Sequence, residues 1–341
     1  MLESLKALIN IKSPSGNESP MRQIIIKKIK PFVDKVYIDK YGNVIAQKVG
    51  TGQKIMLTAH MDEVGLMVKS IDQQGLMYCS EIGGIDPVTM LGERVMIESK
   101  KKPMYGLITT KEISNGQPTE KLPTMSDLVI DTGLTKKELV KKGVEIGAYI
   151  YFTLEAGHLG SEEVISGKAL DDRTGCYILL EIARQLKNMK RNIYFVFTVQ
   201  EEIGLYGAQT SIHGIDPDWA INVDVTGAED FGENPRNCIG KGPCLTIKDA
   251  DTITNRCLND KIKDVAKKLH LPLQLEVNEV GSTDALNISI AKGGIPTAVL
   301  GVAVRNIHTT SSVAHAKDIE NTIKILVHLL KKPTKDLCLP Q

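Results

Sequence analysis

Residues 54–63 read KIMLTAHMDE, a mostly apolar run from Lys54 to Ala59 followed directly by His60-Met61-Asp62-Glu63. The run has the length of a strand and lacks polar alternation, which is typical of a strand buried on both faces of a sheet. In parallel sheets, the polar residues that follow such strands are a common place for chemistry. We therefore expect the carboxyl end of this strand to contribute to a functional site.

The segments around this strand alternate between apolar strands and amphipathic helices. Before it, residues 36–48 alternate in polarity around Tyr41-Gly42-Asn43, which predicts a hairpin. After residue 167 the sequence predicts strands at 192–199, 219–223 and 297–301. It also predicts helices before, between and after them, at 174–186, 255–269 and 319–330. Alternation of this kind predicts an α/β fold with a mainly parallel sheet and helices on both faces.

The segment between these two parts has a different character. From about Gly65 to Gly167 it contains short β-like runs that Gly, Pro and Lys interrupt. We therefore predict one α/β domain made of residues 1–65 and 167–341, interrupted by an inserted small β-rich domain of residues 66–166.

Composition and charge exclude several classes of protein. The chain has 341 residues, 42 Lys and Arg against 41 Asp and Glu, and 42% hydrophobic residues. A net charge of +1 argues against nucleic acid as the main partner. No run approaches the roughly 20 apolar residues of a membrane span, and charges interrupt the N-terminal residues where a leader would be apolar. We expect a cytoplasmic protein that binds neither nucleic acid nor a membrane.

Acidic and imidazole side chains recur directly after the predicted strands or in loops of the α/β part. Charges at the ends of buried strands carry a desolvation cost unless they are paired or bind a metal ion. Several strands of one sheet that end in this way therefore predict a shared cation site. The candidate residues are His60, Asp62, Asp171, Asp172, Glu201, Glu202, Asp224 and His308.

The types of these residues restrict the metal. His and carboxylate ligands without thiolate suit zinc, cobalt or manganese, and the set exceeds what one tetrahedral ion needs. Two ions that share a bridging carboxylate are the economical arrangement, and such pairs activate water and polarise a carbonyl or phosphoryl oxygen. Glu201 and Glu202 are adjacent, so one can bind metal while the other accepts the proton of the bridging water.

Several blocks of the sequence resemble the dinuclear aminopeptidases of metallopeptidase family forty-two, which include TET-type, glutamyl and deblocking aminopeptidases and some members labelled endoglucanase. The similarity runs nearly from end to end, and it implies a zinc-exopeptidase-like fold. The blocks that carry it are residues 59–65 (AHMDEVG), 168–175 (KALDDRTG), 199–204 (VQEEIG) and 222–224 (NVD).

The resemblance also implies a role for each candidate residue. His60 and Asp224 would hold one metal ion, Glu202 and His308 the other, and Asp171 would bridge them. Glu201 would be the general base, and Asp62 would orient His60. Thr283, Asp284 and Arg305 would lie beside the substrate. His315, seven residues beyond His308, is a rival metal ligand.

The expected function is therefore that of a metal-dependent aminopeptidase. A metal-bridging water would attack short peptides with a free N-terminus, and two divalent ions, with zinc ahead of cobalt and manganese, would be bound per subunit. The resemblance further implies that the insert serves dimerisation and that dimers build a tetrahedral dodecamer. Two alternatives stay open: a non-catalytic peptide-binding particle of the same fold, and a glycoside hydrolase. The preferred N-terminal residue is not evident from the sequence.

Overall fold

The structure is a computed structural model and describes residues 2–118 and 121–331. Its strands are β1 (Lys35–Ile38), β2 (Val44–Lys48), β3 (Thr51–His60), β4 (Gly65–Ile71), β5 (Met77–Ile82), β6 (Arg94–Ile97), β7 (Met104–Thr110), β8 (Leu128–Asp131), β9 (Tyr149–Phe152), β10 (Gly157–Leu159), β11 (Ser161–Gly167), β12 (Arg191–Thr198), β13 (Trp219–Gly227), β14 (Cys244–Lys248), β15 (Gln274–Val277), β16 (Thr297–Arg305) and β17 (Ser312–His315). Its helices are α1 (Leu2–Ile9), α2 (Ser19–Ile29), α3 (Lys111–Ser114), α4 (Lys136–Lys142), α5 (Leu170–Gln185), α6 (Tyr206–Ile215), α7 (Arg256–Lys268), α8 (Ala285–Ile290) and α9 (Ala316–Lys331).

A large mixed sheet forms the centre of the molecule. Its strands follow the order β1-β2-β12-β3-β13-β16-β17-β11-β10, and β14 and β15 extend it from β16. The four central strands β12, β3, β13 and β16 are parallel to one another, whereas most of the flanking pairs are antiparallel. The predicted hairpin is present, because β1 pairs with β2 across the turn that contains Gly42.

Helices cover both faces of this sheet, and the alternation of side chains along β3 shows how. Ile55 and Leu57 are buried in the larger core, to which α1, α2, α5, α7 and α9 also contribute. Met56 lies between them on the opposite face and is buried in a second core together with residues of α6 and α8. Successive residues of a strand point to opposite faces, so an uninterrupted apolar run fills both cores. The predicted α/β class with a mainly parallel centre is thus confirmed.

A smaller closed barrel interrupts this domain. Strands β4 to β9 close in the order β4-β5-β8-β7-β6-β9 around their own apolar core, which contains Leu66, Val95 and Ile108. The barrel therefore begins at Gly65 and its last strand ends at Phe152. Residues 157–166 lie within the predicted insert of residues 66–166, but they belong to β10 and β11, which join the large sheet through β17. Within the predicted ranges, residues 1, 119–120 and 332–341 lie outside the described residues.

None of the helices in the described part of the chain is both long and apolar enough to cross a membrane.

Candidate metal centre

The polar residues predicted to form a cation site lie at one edge of the large sheet, where its parallel strands end. His60 is the last residue of β3, and Asp224 lies within β13. Glu201 and Glu202 follow β12, and His308 follows β16. The carboxyl ends of parallel strands meet at one edge of a sheet, so residues distant in sequence come together there.

Asp171, in the first turn of α5, lies between the two histidines. Its Oδ1 is 2.8 Å from His60 Nε2, and its Oδ2 is 3.1 Å from His308 Nε2. Glu202 Oε2 is 3.3 Å from His308 Nε2, and Asp224 Oδ1 is 3.9 Å from His60 Nε2. Donor atoms of His60, Asp171 and Asp224 lie within 4.8 Å of one another, as do those of Asp171, Glu202 and His308. The structure thus contains two potential metal sites that share one carboxylate.

Glu201 and Asp62 lie next to these two groups. Glu201 is buried, and its Oε2 is 4.0 Å from His60 Nε2, but among the described residues it belongs to neither group. Asp62 accepts hydrogen bonds from the backbone N–H groups of Glu201 and Glu202, both at 3.2 Å, and its Oδ1 is 3.5 Å from His60 Nδ1. Ser15 Oγ donates to Asp62 Oδ2 at 2.7 Å. One carboxylate therefore positions the first histidine and the Glu201–Glu202 turn together.

Burial and mutual repulsion perturb the carboxyl groups of the site. Burial, together with the charges of Asp224 and the neighbouring glutamate, raises the pKa of Glu201 well above its usual value. Burial and the charge of Asp171 raise the pKa of Glu202 to about 8. The same two causes raise the pKa of Asp224 to about 6. Each of these carboxyl groups therefore resists ionisation in the absence of a nearby cation.

The neighbouring carboxylates also shift the pKa values of the two imidazole groups. Burial opposes protonation of both rings. At His60 the carboxylates of Glu201 and Asp171 outweigh burial and raise the pKa. At His308 the carboxylates of Asp171 and Glu202 outweigh burial and raise the pKa to about 9. Burial also opposes ionisation of Asp171, yet hydrogen bonds from both histidines hold the pKa of Asp171 below its usual range. The site thus contains more carboxyl groups than its two imidazoles can neutralise.

The donor set fits divalent ions. It contains imidazole nitrogens and carboxylate oxygens without thiolate, a combination that zinc, cobalt and manganese accept. Glu202 Oε1 is buried without a hydrogen-bond partner, so an acceptor is available next to the second group. A surplus of buried carboxyl groups and an unused acceptor are both features that bound cations would stabilise.

A cavity of about 460 Å³ opens onto both potential metal sites. Thr283 lines it, as predicted for a residue beside the substrate. Asp284 is buried at the start of α8, where it accepts a 2.6 Å hydrogen bond from Thr198 Oγ1. Arg305 forms two 2.7 Å hydrogen bonds with Asp230, and neither Asp284 nor Arg305 is among the described residues that line the cavity. The structure thus brings Thr283, but not the other two, to the cavity wall.

His315, the rival ligand, lies apart from the centre. Its Nε2 is 3.6 Å from Glu163 Oε2, and its Nδ1 accepts a hydrogen bond from the backbone N–H of Lys317. The described residues that could hold a metal ion do not include it. His308, and not His315, is therefore the second histidine of the candidate site.

Three residues at the site were not singled out from the sequence. Ser15, which supports Asp62, lies in a loop that only the fold brings to β3. Asp249 and Glu276 line the far end of the cavity. The short strand β15, which carries Glu276, was not predicted, although one acidic residue between Leu275 and Val277 is a sign of a two-faced strand.

A buried ion cluster ties the metal centre to the rest of the domain. Glu63 follows β3 and accepts a 2.7 Å hydrogen bond from the backbone N–H of Ser13. It also pairs with the ammonium group of Lys168 and, at 3.5 Å, with the guanidinium of Arg173. All three charged side chains are buried. The cluster thus links the N-terminal loop, the end of β3 and the start of α5, which carries Asp171.

We expect Glu63→Ala to lower the free energy of unfolding by about 3–5 kcal/mol, because it leaves Lys168 and Arg173 buried without a counterion. Equilibrium unfolding in urea measures this change. Glu81→Ala, an exposed change in β5, is the matched control and is expected to alter the free energy by about 0.5 kcal/mol or less. A loss of under about 1 kcal/mol in Glu63→Ala would contradict the assigned role of the cluster.

Comparison with known proteins identifies a family of peptidases. A family described as M42 glutamyl aminopeptidase matches residues 42–325. The lysyl aminopeptidase of Pyrococcus furiosus is 34% identical over 338 residues, which cover 97% of this chain and 96% of that protein. A TET aminopeptidase from a marine sediment Thaumarchaeota archaeon has a TM-score of 0.91 at 34% identity, covering 97% of this chain and 96% of its own. The TET1 peptidase of Pyrococcus horikoshii, described as assembling into a tetrahedron or a large octahedral shell, has a TM-score of 0.86 at 30% identity, with 96% and 98% covered.

Proposed function

This chain belongs to the M42 glutamyl aminopeptidase family, and from this premise we propose that it is a two-metal aminopeptidase that removes N-terminal residues from short peptides. The observation that carries the proposal is the pair of potential metal sites that share Asp171. Glu201 lies beside them, buried and outside both groups, as a proton acceptor requires.

In this proposal five residues would hold two metal ions. His60 and Asp224 would hold one ion, Glu202 and His308 would hold the other, and Asp171 would contribute to both. When bound, the ions supply Lewis-acid chemistry: they lower the pKa of water and polarise the peptide carbonyl. Zinc is the leading candidate, and cobalt and manganese also suit these ligands.

The side chain of Glu201 carries the proton transfer. It would accept a proton from the attacking water and would pass that proton to the amine that leaves when the peptide bond breaks. Asp62 assists by holding the backbone of Glu201 and the ring of His60 in place.

The proposal extends to assembly. We place the barrel at a dimer contact and infer a tetrahedral dodecamer of this chain, by analogy with the assembling Pyrococcus horikoshii peptidase. Large apolar side chains on the barrel support the first step, since Tyr105, Leu107 and Ile146 are exposed there. A cytoplasmic location stays a prediction.

Release of free amino acid from matched pairs of unblocked and N-acetylated short peptides tests the activity. With zinc or cobalt present, we expect cleavage of the unblocked peptides alone, and we expect chelation to abolish it. Equal cleavage of both members of a pair would contradict an aminopeptidase. Peptide binding without cleavage by fully metallated protein would favour the non-catalytic particle, and reducing-sugar release that survives chelation would favour a glycoside hydrolase.

A further inference from the structure

The cavity extends beyond the metal centre along one face of the large sheet. The strand register pairs Glu276 with Thr246 and Thr246 with Val299, and all three line the cavity together with Asp224 and Thr226. Asp224 and Thr226 are two positions apart on β13, so they lie on the same face roughly 7 Å from one another. The cavity therefore continues from a potential metal ligand to the carboxylate of Glu276.

Two buried carboxylates at this far end have an unused oxygen. Glu276 is 4% exposed; its Oε1 accepts hydrogen bonds from Thr226 Oγ1 and the Asn278 side chain, whereas its Oε2 has no partner. Asp249 is 5% exposed; its Oδ1 accepts from two backbone N–H groups, whereas its Oδ2 has no partner. A buried carboxylate oxygen without a partner is costly and calls for a cationic or hydrogen-bonding ligand.

The nearby cations of the protein are engaged elsewhere. No Lys or Arg is among the described residues that line the cavity. The Lys248 ammonium group donates to the backbone oxygens of Asp249 and Asn278, not to either carboxylate. Arg236 pairs with Glu229 at the rim. Burial, followed by the charges of Asp249 and Glu229, raises the pKa of Glu276 to about 7, so a cationic group bound here would favour the ionised form of this carboxyl group.

We propose that Glu276 and Asp249 form the pocket for the first side chain of the substrate, and that the enzyme prefers peptides whose N-terminal residue is basic. The inference rests on the proposed aminopeptidase function, because it places the scissile bond at the metal centre. A lysine side chain carries its ammonium group on a flexible four-carbon stem, which suits the distance along β13 and supplies the donors that Glu276 Oε2 and Asp249 Oδ2 lack.

The test compares two substrates that differ in the ammonium group alone. For the full-length metallated enzyme, we expect kcat/KM for Lys-Ala-Ala to exceed that for norleucyl-Ala-Ala at least about tenfold. Glu276→Gln keeps the shape of the side chain, so it should lower the value for Lys-Ala-Ala about thirtyfold or more while leaving that for norleucyl-Ala-Ala within about threefold. Asp249→Asn, the second variant, should likewise lower the value for Lys-Ala-Ala more than that for norleucyl-Ala-Ala.

Glu279→Gln is the matched control, since Glu279 is an exposed neighbour that does not line the cavity, and it should keep the preference for lysine. Retained cleavage of norleucyl-Ala-Ala shows that a variant is folded and metallated. A wild-type enzyme that cleaves norleucyl-Ala-Ala as well as Lys-Ala-Ala would overturn the inference and leave the aminopeptidase function intact. An equal loss on both substrates in Glu276→Gln would also overturn it, because the carboxylate would then recognise a shared feature such as the α-amino group. Failure to cleave either substrate, or any unblocked peptide, would overturn the proposed function itself and the inference with it.

Discussion

Replacing Glu201 with Gln is expected to lower kcat about a thousandfold while both metal ions stay bound. Glu201 lies outside the two groups of potential ligands, so the change does not remove a ligand. Gln has nearly the same shape, but it cannot accept a proton from water and deliver it to the leaving amine. Metal content per subunit and kcat on an unblocked peptide, measured on the same sample, test both halves of this expectation.

Glu202→Gln is the matched variant, because it makes the same chemical change at the adjacent residue. Glu202 Oε2 lies 3.3 Å from His308 Nε2 within the second group, so this variant should lose affinity for the second ion. The pair of variants separates the base from the ligand. Near-wild-type turnover in Glu201→Gln, or metal loss there and not in Glu202→Gln, would mean that the two roles are assigned to the wrong residues.

Replacing Asp171 with Ala is expected to remove both metal ions and to lower kcat/KM about a thousandfold or more. Asp171 is the single residue common to the two groups, and its two oxygens face the two histidines. Several kcal/mol of transition-state stabilisation depend on the ions, which corresponds to a loss of this size. Elemental analysis after dialysis against a defined zinc concentration measures the metal, and cleavage of an unblocked peptide measures the rate.

Asp172→Asn provides the control for this second variant. Asp172 is buried, and burial with the charge of Asp224 raises its pKa well above the usual value, so a neutral amide replaces a group that resists ionisation. Its Oδ1 accepts a hydrogen bond from the backbone N–H of Gly175, which the amide oxygen can also accept. We expect Asp172→Asn to keep both ions. If Asp171→Ala also kept two ions, Asp171 would not be the bridging ligand.

Much of the site could be predicted because the sheet is parallel at its centre. His60, Glu201 and Asp224 each follow or end an apolar run, and the carboxyl ends of parallel strands meet at one edge. Sequence order therefore suffices to infer that these residues are neighbours. Their separate roles, and the place of Asp171 between the histidines, came from the family resemblance and not from the pattern of residues.

The parts that could not be predicted depend on pairings between distant segments. Strands β10 and β11 follow the barrel directly but pair with β17 near the other end of the chain, so the boundary of the insert is not visible locally. Glu276 lines the cavity because the two short strands β14 and β15 join the sheet through β16. Arg305 was expected beside the substrate, and its engagement by Asp230 is a contact that only the folded loop creates.

In the proposed site two ions would bind between His60, Asp224, Glu202 and His308 and would share Asp171. Anomalous diffraction at the zinc absorption edge, from crystals of the full-length protein grown with zinc, tests it most directly. We predict two anomalous peaks per subunit, one beside His60 and Asp224 and one beside Glu202 and His308, with Asp171 in contact with both. A single peak, or two peaks that are not both in contact with Asp171, would contradict a shared two-ion site.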